Sequence, residues 1–133
     1  MPEDIASMVQ CDVFAQAHAS RRSFIGNATA QGQALVAVAD GRVLGFLVLN
    51  HAFFEQAFVA LIAVTAGHRR KGVGRALLAA AEAACPSPKL FSSTNTSNLG
   101  AQALLSKAGF VRSGFIDNLD PDDLELVYFK RVR

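Results

Sequence analysis

The sequence predicts an α+β fold, a mixed and mostly antiparallel sheet of six strands flanked by about four helices. Strand-length apolar runs bounded by turn residues recur along the 133 residues. Two connections read as hairpins, one at Asp40-Gly41 and one in the acid-rich stretch around Asp120-Pro121-Asp122-Asp123, and hairpins join antiparallel neighbours. Other connections carry apolar residues at helical spacing, as crossovers do.

The stretch 57–81, AFVALIAVTAGHRRKGVGRALLAAA, organises the rest. Residues 58–64 form an unbroken apolar run suited to a buried strand. From Val73 the period becomes helical, with Val73, Leu77, Ala81 and Ala84 near fourfold spacing. Between them stand His68, Arg69, Arg70, Lys71, Gly72 and Gly74, with Arg75 in the first turn. A helix N-terminus already carries partial positive charge, so cations there call for an anion among them. Unpaired N–H groups, glycines and cations together suit a pyrophosphate. A solvated basic loop is the alternative. Walker-type phosphate binding does not fit, because Lys71 precedes Gly72 and no Gly-Lys-Ser/Thr follows.

Taken in order, Pro2-Glu3-Asp4 with Ile5 and Met8 reads as a helix start. A longer helix is expected over 13–25, broken by Gly26, Asn27, Gln31 and Gly32. Strands are expected over 34–39 and 43–49, with 50–56 as a connection to the central strand. The helix after the basic loop stops before Pro86. A short strand over 90–94 leads to a helix over 99–108, whose Ala101, Leu104, Leu105 and Ala108 share one face. Gly109 supplies its left-handed cap, and Phe110 folds back on it. Residues 110–116 and 124–129 close the sheet as an antiparallel pair.

Composition narrows the function. A hydrophobic share of 51% with 18% charged residues marks a compact globular chain, expected as one domain over 1–133. No apolar run is long enough to span a membrane. The acidic N-terminus argues against a secretory leader, and two cysteines, Cys11 and Cys85, fit reduced thiols in a cytoplasmic protein without a metal framework. The net charge of +2 hides an asymmetry: seven basic residues and one acid over 56–116, then five acids and no base over 117–125. The middle of the chain is set for an anion, and the acidic stretch for a cation. Nucleic acid is a poor match, because the phenylalanines sit inside apolar strand patterns.

Arg69-Arg70-Lys71-Gly72-Val73-Gly74 resembles the acetyl-CoA pyrophosphate motif of the GNAT acetyltransferases, Gln/Arg-x-x-Gly-x-Gly/Ala, placed five residues after an apolar strand ending Ile62-Ala63-Val64. Asn98-x-x-Ala101-x-x-Leu104-Leu105-x-Lys107-x-Gly109-Phe110 is similar to the family's second signature. The resemblance implies an acyl-CoA N-acyltransferase-like fold without the family's first strand. It also implies an acyltransferase that moves an acetyl group from acetyl-CoA to a primary amine by direct attack in a ternary complex. By the same resemblance, Ile62, Ala63 and Val64 would meet pantetheine, with the Val64 N–H on the oxyanion. Arg69, Arg70, Lys71, Gly72, Val73, Gly74 and Arg75 would hold the pyrophosphate. Asn98, with Ala101, would meet the pantetheine arm, or Asn98 would cap its helix. Replacing Gly72 and Gly74 together should abolish CoA binding with the fold intact.

The catalytic half departs from the family. Leu105 stands where many members carry an acidic tyrosine, and Phe58 near where some carry a glutamate base. Glu55, His51, Asp117 and Glu125 are candidate bases and Tyr128 a replacement acid; each also reads as an ordinary surface or packing residue. A CoA-binding module without catalysis, and an anion- or nucleic-acid-binding domain, are the competing readings. The resemblance places acceptor recognition in 24–33, 50–56 and 117–123, for a small-molecule or peptide amine. The missing first strand implies an open sheet edge, covered in a homodimer.

Overall fold

The structure, a computed structural model, describes residues 4–133, so the expected role of Pro2 and Glu3 in starting a helix lies outside the described residues. Three helices come first: α1 (Ile5–Cys11), α2 (Val13–Ala17) and α3 (Ala19–Ala30). Strands β1 (Ala34–Ala39), β2 (Arg42–Phe53) and β3 (Gln56–Val64) follow, then α4 (Val73–Ala84), β4 (Lys89–Asn95), α5 (Leu99–Lys107), β5 (Val111–Asp120) and β6 (Asp123–Arg131). The six strands form one sheet in the order β1-β2-β3-β4-β6-β5, and only β3 and β4 run parallel. This is the α+β architecture expected.

Two cores lie on opposite faces. Under α4 and α5, Leu77, Leu78 and Ala81 pack with Leu47, Leu90, Leu105, Phe110 and Tyr128. Under α1–α3, Met8, Cys11, Ala15, Ile25 and Ala28 pack on Phe46 and Val48. Gly109 takes φ 94°, and the Phe110 N–H reaches the Leu105 carbonyl at 3.0 Å, folding Phe110 into the core as expected.

Three local expectations change. The helix expected over 13–25 is two helices, because His18 is extended (ψ 116°) and its Nδ1 sits 2.9 Å from the Phe14 carbonyl. Helix α3 runs through Gly26 and Asn27 to Ala30, because burial of Ile25 and Ala28 outweighs a glycine cost of about 1 kcal/mol. The connection expected over 50–56 is mostly strand. Its turn is Phe54-Glu55, both at positive φ (51° and 65°), a tight hairpin without the usual Asn-Gly.

Strand β3 carries the feature that makes the site. Val48 pairs with Leu61 and Leu49 with Val59, leaving Ala60 as an extra residue. A bulge bends the strand and shifts its side-chain alternation by one. Before it, Ala57 and Val59 point to the α4 side; after it, Ile62 and Val64 do, while Leu61 and Ala63 pack toward α1–α3. Pairing of β3 with β4 stops at the same point: Phe58 with Phe91 and Val59 with Ser92 are the two registered pairs. Beyond them the two strands separate.

Candidate functional site

The gap between β3 and β4 is lined by backbone. The Thr65 N–H donates to the Leu44 carbonyl at 2.8 Å, and Gly45 pairs with Val64 in the same register. Hydrogen-bonded and non-bonded pairs alternate in an antiparallel ladder, so Leu61, Ala63 and Thr65 bond to β2. Ile62 and Val64 turn their N–H and C=O groups the other way, into the gap. Gly45 is required opposite, since a Cβ there would stand 2.7 Å from the Ala63 carbonyl oxygen. The Val64 carbonyl accepts from Arg69 Nε at 3.2 Å, which leaves its N–H facing the gap.

The basic loop ends at α4 in a form that favours an anion. Gly72 is the N-cap, in the left-handed region at φ 85°, and no side chain caps the helix. The first helical bond runs from the Ala76 N–H to the Gly72 carbonyl at 3.0 Å. The amides of Val73, Gly74 and Arg75 therefore have no intrahelical acceptor. Arg69, Arg70 and Arg75 stand around them.

A groove of about 1080 Å³ joins these parts, lined by Ile62, Ala63, Val64, Arg69, Arg70, Gly72, Gly74 and Arg75, with Asn98, Ala101 and Leu104 from the α5 side. The fold thus brings together ten of the twelve residues expected at the cofactor site. Lys71 is exposed outside the lining, and Val73 packs on the core. Gly74 serves packing as well: a Cβ there would meet Leu104 Cδ2 at 2.9 Å. The expectation that Gly72 and Gly74 could be replaced with the fold intact is therefore not supported at Gly74, and at Gly72, which faces open space, any side chain would meet the backbone strain of φ 85°. Asn98 caps α5, its Oδ1 accepting from the Ala101 N–H at 3.0 Å. Among the described residues its Nδ2 meets no protein acceptor.

Sequence reasoning missed the far wall, made by Cys11, Asp12, Val13 and Phe14 at the α1–α2 corner. Asp12 accepts from the Phe14 N–H at 3.1 Å and pairs with Arg21 at 2.8 Å. Its one sequence signal was an Asp just before a helical run, which marks a cap and not a site. Burial, then the Asp12 carboxylate, raises the Cys11 thiol above its ordinary value, so it stays protonated.

The expected catalytic side chains are not gathered in the groove. Glu55 occupies the hairpin tip at the start of β3, roughly 30 Å of strand from Val64 at 3.3 Å per residue. His51 is exposed near the same hairpin. Tyr128 is 2% exposed in the α4-side core. Asp117 is exposed on β5 and accepts from the Asn118 N–H at 2.7 Å. Glu125, half-buried on β6, sits across from Asn95 at the end of β4, beside the gap. Of the other acids in that stretch, Asp120 accepts from Asn95 Nδ2 at 2.9 Å, and Asp123 from Ser97 Oγ at 2.6 Å and the Ser97 N–H at 3.2 Å. Those two carboxylates anchor the loop leading to Asn98. The acidic stretch therefore offers less free charge than its composition suggests. No cluster of three or more potential metal ligands occurs among the described residues.

The sequence model described as the acetyltransferase (GNAT) family matches residues 6–110. A Bacillus cereus acetyltransferase of that family is 34% identical, with 97% of this chain and 91% of that one covered at a TM-score of 0.90. A Bacillus anthracis protein assigned as a streptothricin acetyltransferase, in complex with acetyl coenzyme A, is 25% identical over 74% of this chain and 61% of that one, TM-score 0.68. Salmonella typhimurium YncA, with its cofactor acetyl-CoA, shares the fold at 16% identity, covering 100% and 91% at a TM-score of 0.77. No functionally curated protein matches the sequence.

Proposed function

Because the chain belongs to the GNAT acetyltransferase family, we propose that it is an N-acetyltransferase using acetyl-CoA as co-substrate and a primary amine as acceptor. One observation carries the cofactor half. The groove that receives the open N–H groups of Ile62 and Val64 also receives the uncapped N-terminus of α4. The first suits the amide-containing pantetheine arm, and the second a pyrophosphate about the Arg69, Arg70 and Arg75 side chains. Two structural relatives in complex with acetyl-CoA support the same ligand.

In this reading the whole domain over 1–133 serves one direct transfer. The amine nitrogen attacks the thioester carbonyl carbon, the Val64 N–H donates to the developing oxyanion, and the C–S bond breaks to release a thiolate. A backbone donor so placed contributes on the order of 3 kcal/mol. The amine proton leaves through water to Glu125, the acid beside the gap. The thiolate takes its proton from solvent, because Leu105 is a buried apolar residue and Tyr128 lies in the core away from the groove lining.

The same absence favours a second reading, a CoA-binding module without turnover. Thermal-shift measurement with acetyl-CoA across an amine panel, followed by thiol release for the amines that shift, separates the two. Both cysteines are buried, so released CoA dominates the thiol signal. Acetyl-CoA should raise the melting temperature, and one class of amine should yield stoichiometric thiol. Binding without thiol release across the panel would establish the module. No response to acetyl-CoA, with salt-sensitive binding of nucleic acid, would favour the third reading.

A further inference from the structure

The sheet face away from α4 is divided in two. Helices α1–α3 cover its β1–β3 half, where Phe46, Val48, Leu61 and Ala63 lie, and none of their core contacts among the described residues reaches β4, β6 or β5. Leu90, Leu126 and Tyr128 face the α4 core, so alternation turns Phe91, Ser93, Glu125, Val127 and Phe129 toward this uncovered half. The rings there form a seat that belongs to neither core. Phe91 meets Phe129 with centroids 5.3 Å apart and Phe53 at 5.4 Å, and Phe53 stacks on Phe58 at 5.0 Å. The cofactor groove opens through the gap onto the same face, because Ala63 and the α1–α2 corner in its lining both lie on the α1–α3 side.

We propose, building on the acetyltransferase reading, that the acceptor is a primary monoamine carried on an aromatic body, its nitrogen beside Glu125 and its ring on Phe91 and Phe129. Length fits this acceptor. At about 3.3 Å per residue, Val127 lies about 7 Å and Phe129 about 13 Å along β6 from Glu125. A nitrogen at Glu125 on a four-carbon chain therefore sets its ring over Val127, against the edges of Phe91 and Phe129, and aromatic pairs attract beyond the area they bury. Charge selects a single ammonium. The Glu125 carboxylate has no protein partner among the described residues, whereas Asp12, Asp120 and Asp123 are held by Arg21, Asn95 and Ser97. At the far end Lys89 and Arg131, paired across β4 and β6, share the face of Phe91 and Phe129. A polyamine would send its second ammonium toward those two cations. An aminoglycoside or an extended peptide brings many polar groups, and the floor below Glu125 answers with the Ser93 hydroxyl alone. Strand β6 pairs on both sides and offers no free backbone edge.

Calorimetric titration of the CoA-loaded chain with n-butylamine, 4-phenylbutylamine and spermidine reads the seat, and thiol release from acetyl-CoA reads the chemistry. On the wild type, 4-phenylbutylamine should bind about tenfold tighter than butylamine or more, the lower range for burying one aromatic ring. Spermidine should gain nothing over butylamine. The same preference should appear in kcat/KM, carried by KM, with one thiol released per acetamide formed. Phe129→Ala and Phe91→Ala, each shown to be folded by circular dichroism, should bring the ratio between the two monoamines toward one. Equal wild-type affinities for the two monoamines overturn the proposal, whether or not either is acetylated. So does a preference for spermidine, or a folded Phe129→Ala with the ratio unchanged. A short peptide with an N-terminal phenylalanine acetylated at a higher kcat/KM than 4-phenylbutylamine also overturns it, in favour of a peptide acceptor. Tighter binding of 4-phenylbutylamine without thiol release supports the aromatic seat and removes the acetyltransferase reading instead.

Discussion

Asn98 combines a helix cap with a place in the groove wall. Its Oδ1 caps α5 through the Ala101 N–H at 3.0 Å, and its Nδ2 is left to the groove. Aspartate keeps the acceptor and loses the donor, so Asn98→Asp separates the roles. Asn98→Ala should cost about 1 kcal/mol of stability through loss of the cap. Asn98→Asp should unfold within about 0.5 kcal/mol of wild type, since the two residues cap about equally. Its affinity for CoA should still fall about tenfold, the equivalent of about 1.4 kcal/mol for one lost hydrogen bond. Urea denaturation and calorimetric titration read the two quantities independently. Unchanged CoA affinity in Asn98→Asp would reduce Asn98 to a cap. Cys11 gives the opposite case of a side chain withdrawn from chemistry. Its folded thiol titrates above the unfolded one, chiefly through burial, so its contribution to stability is full below the unfolded pKa and is lost as pH rises through the folded value.

At the scale of elements, the contact between α4 and α5 depends on Gly74. A Cβ there would lie 2.9 Å from Leu104 Cδ2 and 3.2 Å from Cδ1, so the two helices approach through a missing side chain. Gly74→Val should destabilise by about 1–3 kcal/mol, the range for an overpacked contact. Leu104→Ala in the same chain should recover part of that loss, because the shortened side chain vacates the clash. A double-mutant cycle in urea measures the coupling, and strictly additive losses would place the strain elsewhere. The elements themselves were legible wherever local chemistry decides them. Asp40-Gly41 forms its hairpin at φ 52° and 75°, and Gly109 its cap. The Phe54-Glu55 turn was not legible, because register with β2 forces two non-glycine residues to positive φ. Nor was the bulge at Ala60: 58–64 is apolar throughout, and a uniform run holds no signal for a change of face. The site followed the same division. Arg69, Gly72 and Asn98 are contiguous motif residues and could be read, whereas the α1–α2 wall reaches the groove only through folding.

The molecule as a whole is two half-sheets joined by a short seam. Strands β1-β2-β3 form one half and β4-β6-β5 the other, linked by two registered pairs and by Ser92 Oγ donating to the Val59 carbonyl at 3.0 Å. A ligand lying in the gap would act as a missing strand and tie the halves together. That has a residue-by-residue consequence in amide exchange. Leu61, Ala63 and Thr65 bond to β2 and should be protected with or without ligand. Ile62 and Val64 point into the gap and should exchange at least tenfold faster than their neighbours in the free protein, since they lack an acceptor. Saturating CoA should slow Ile62 and Val64 selectively, erasing the alternation, while a general stabilisation would slow all five amides in proportion. Exchange followed by NMR resolves these positions singly. Free protein in which Ile62 and Val64 are already as protected as Leu61 and Ala63 would mean that the gap is closed. The strand-like seat for pantetheine, on which the acetyltransferase reading depends, would then be lost.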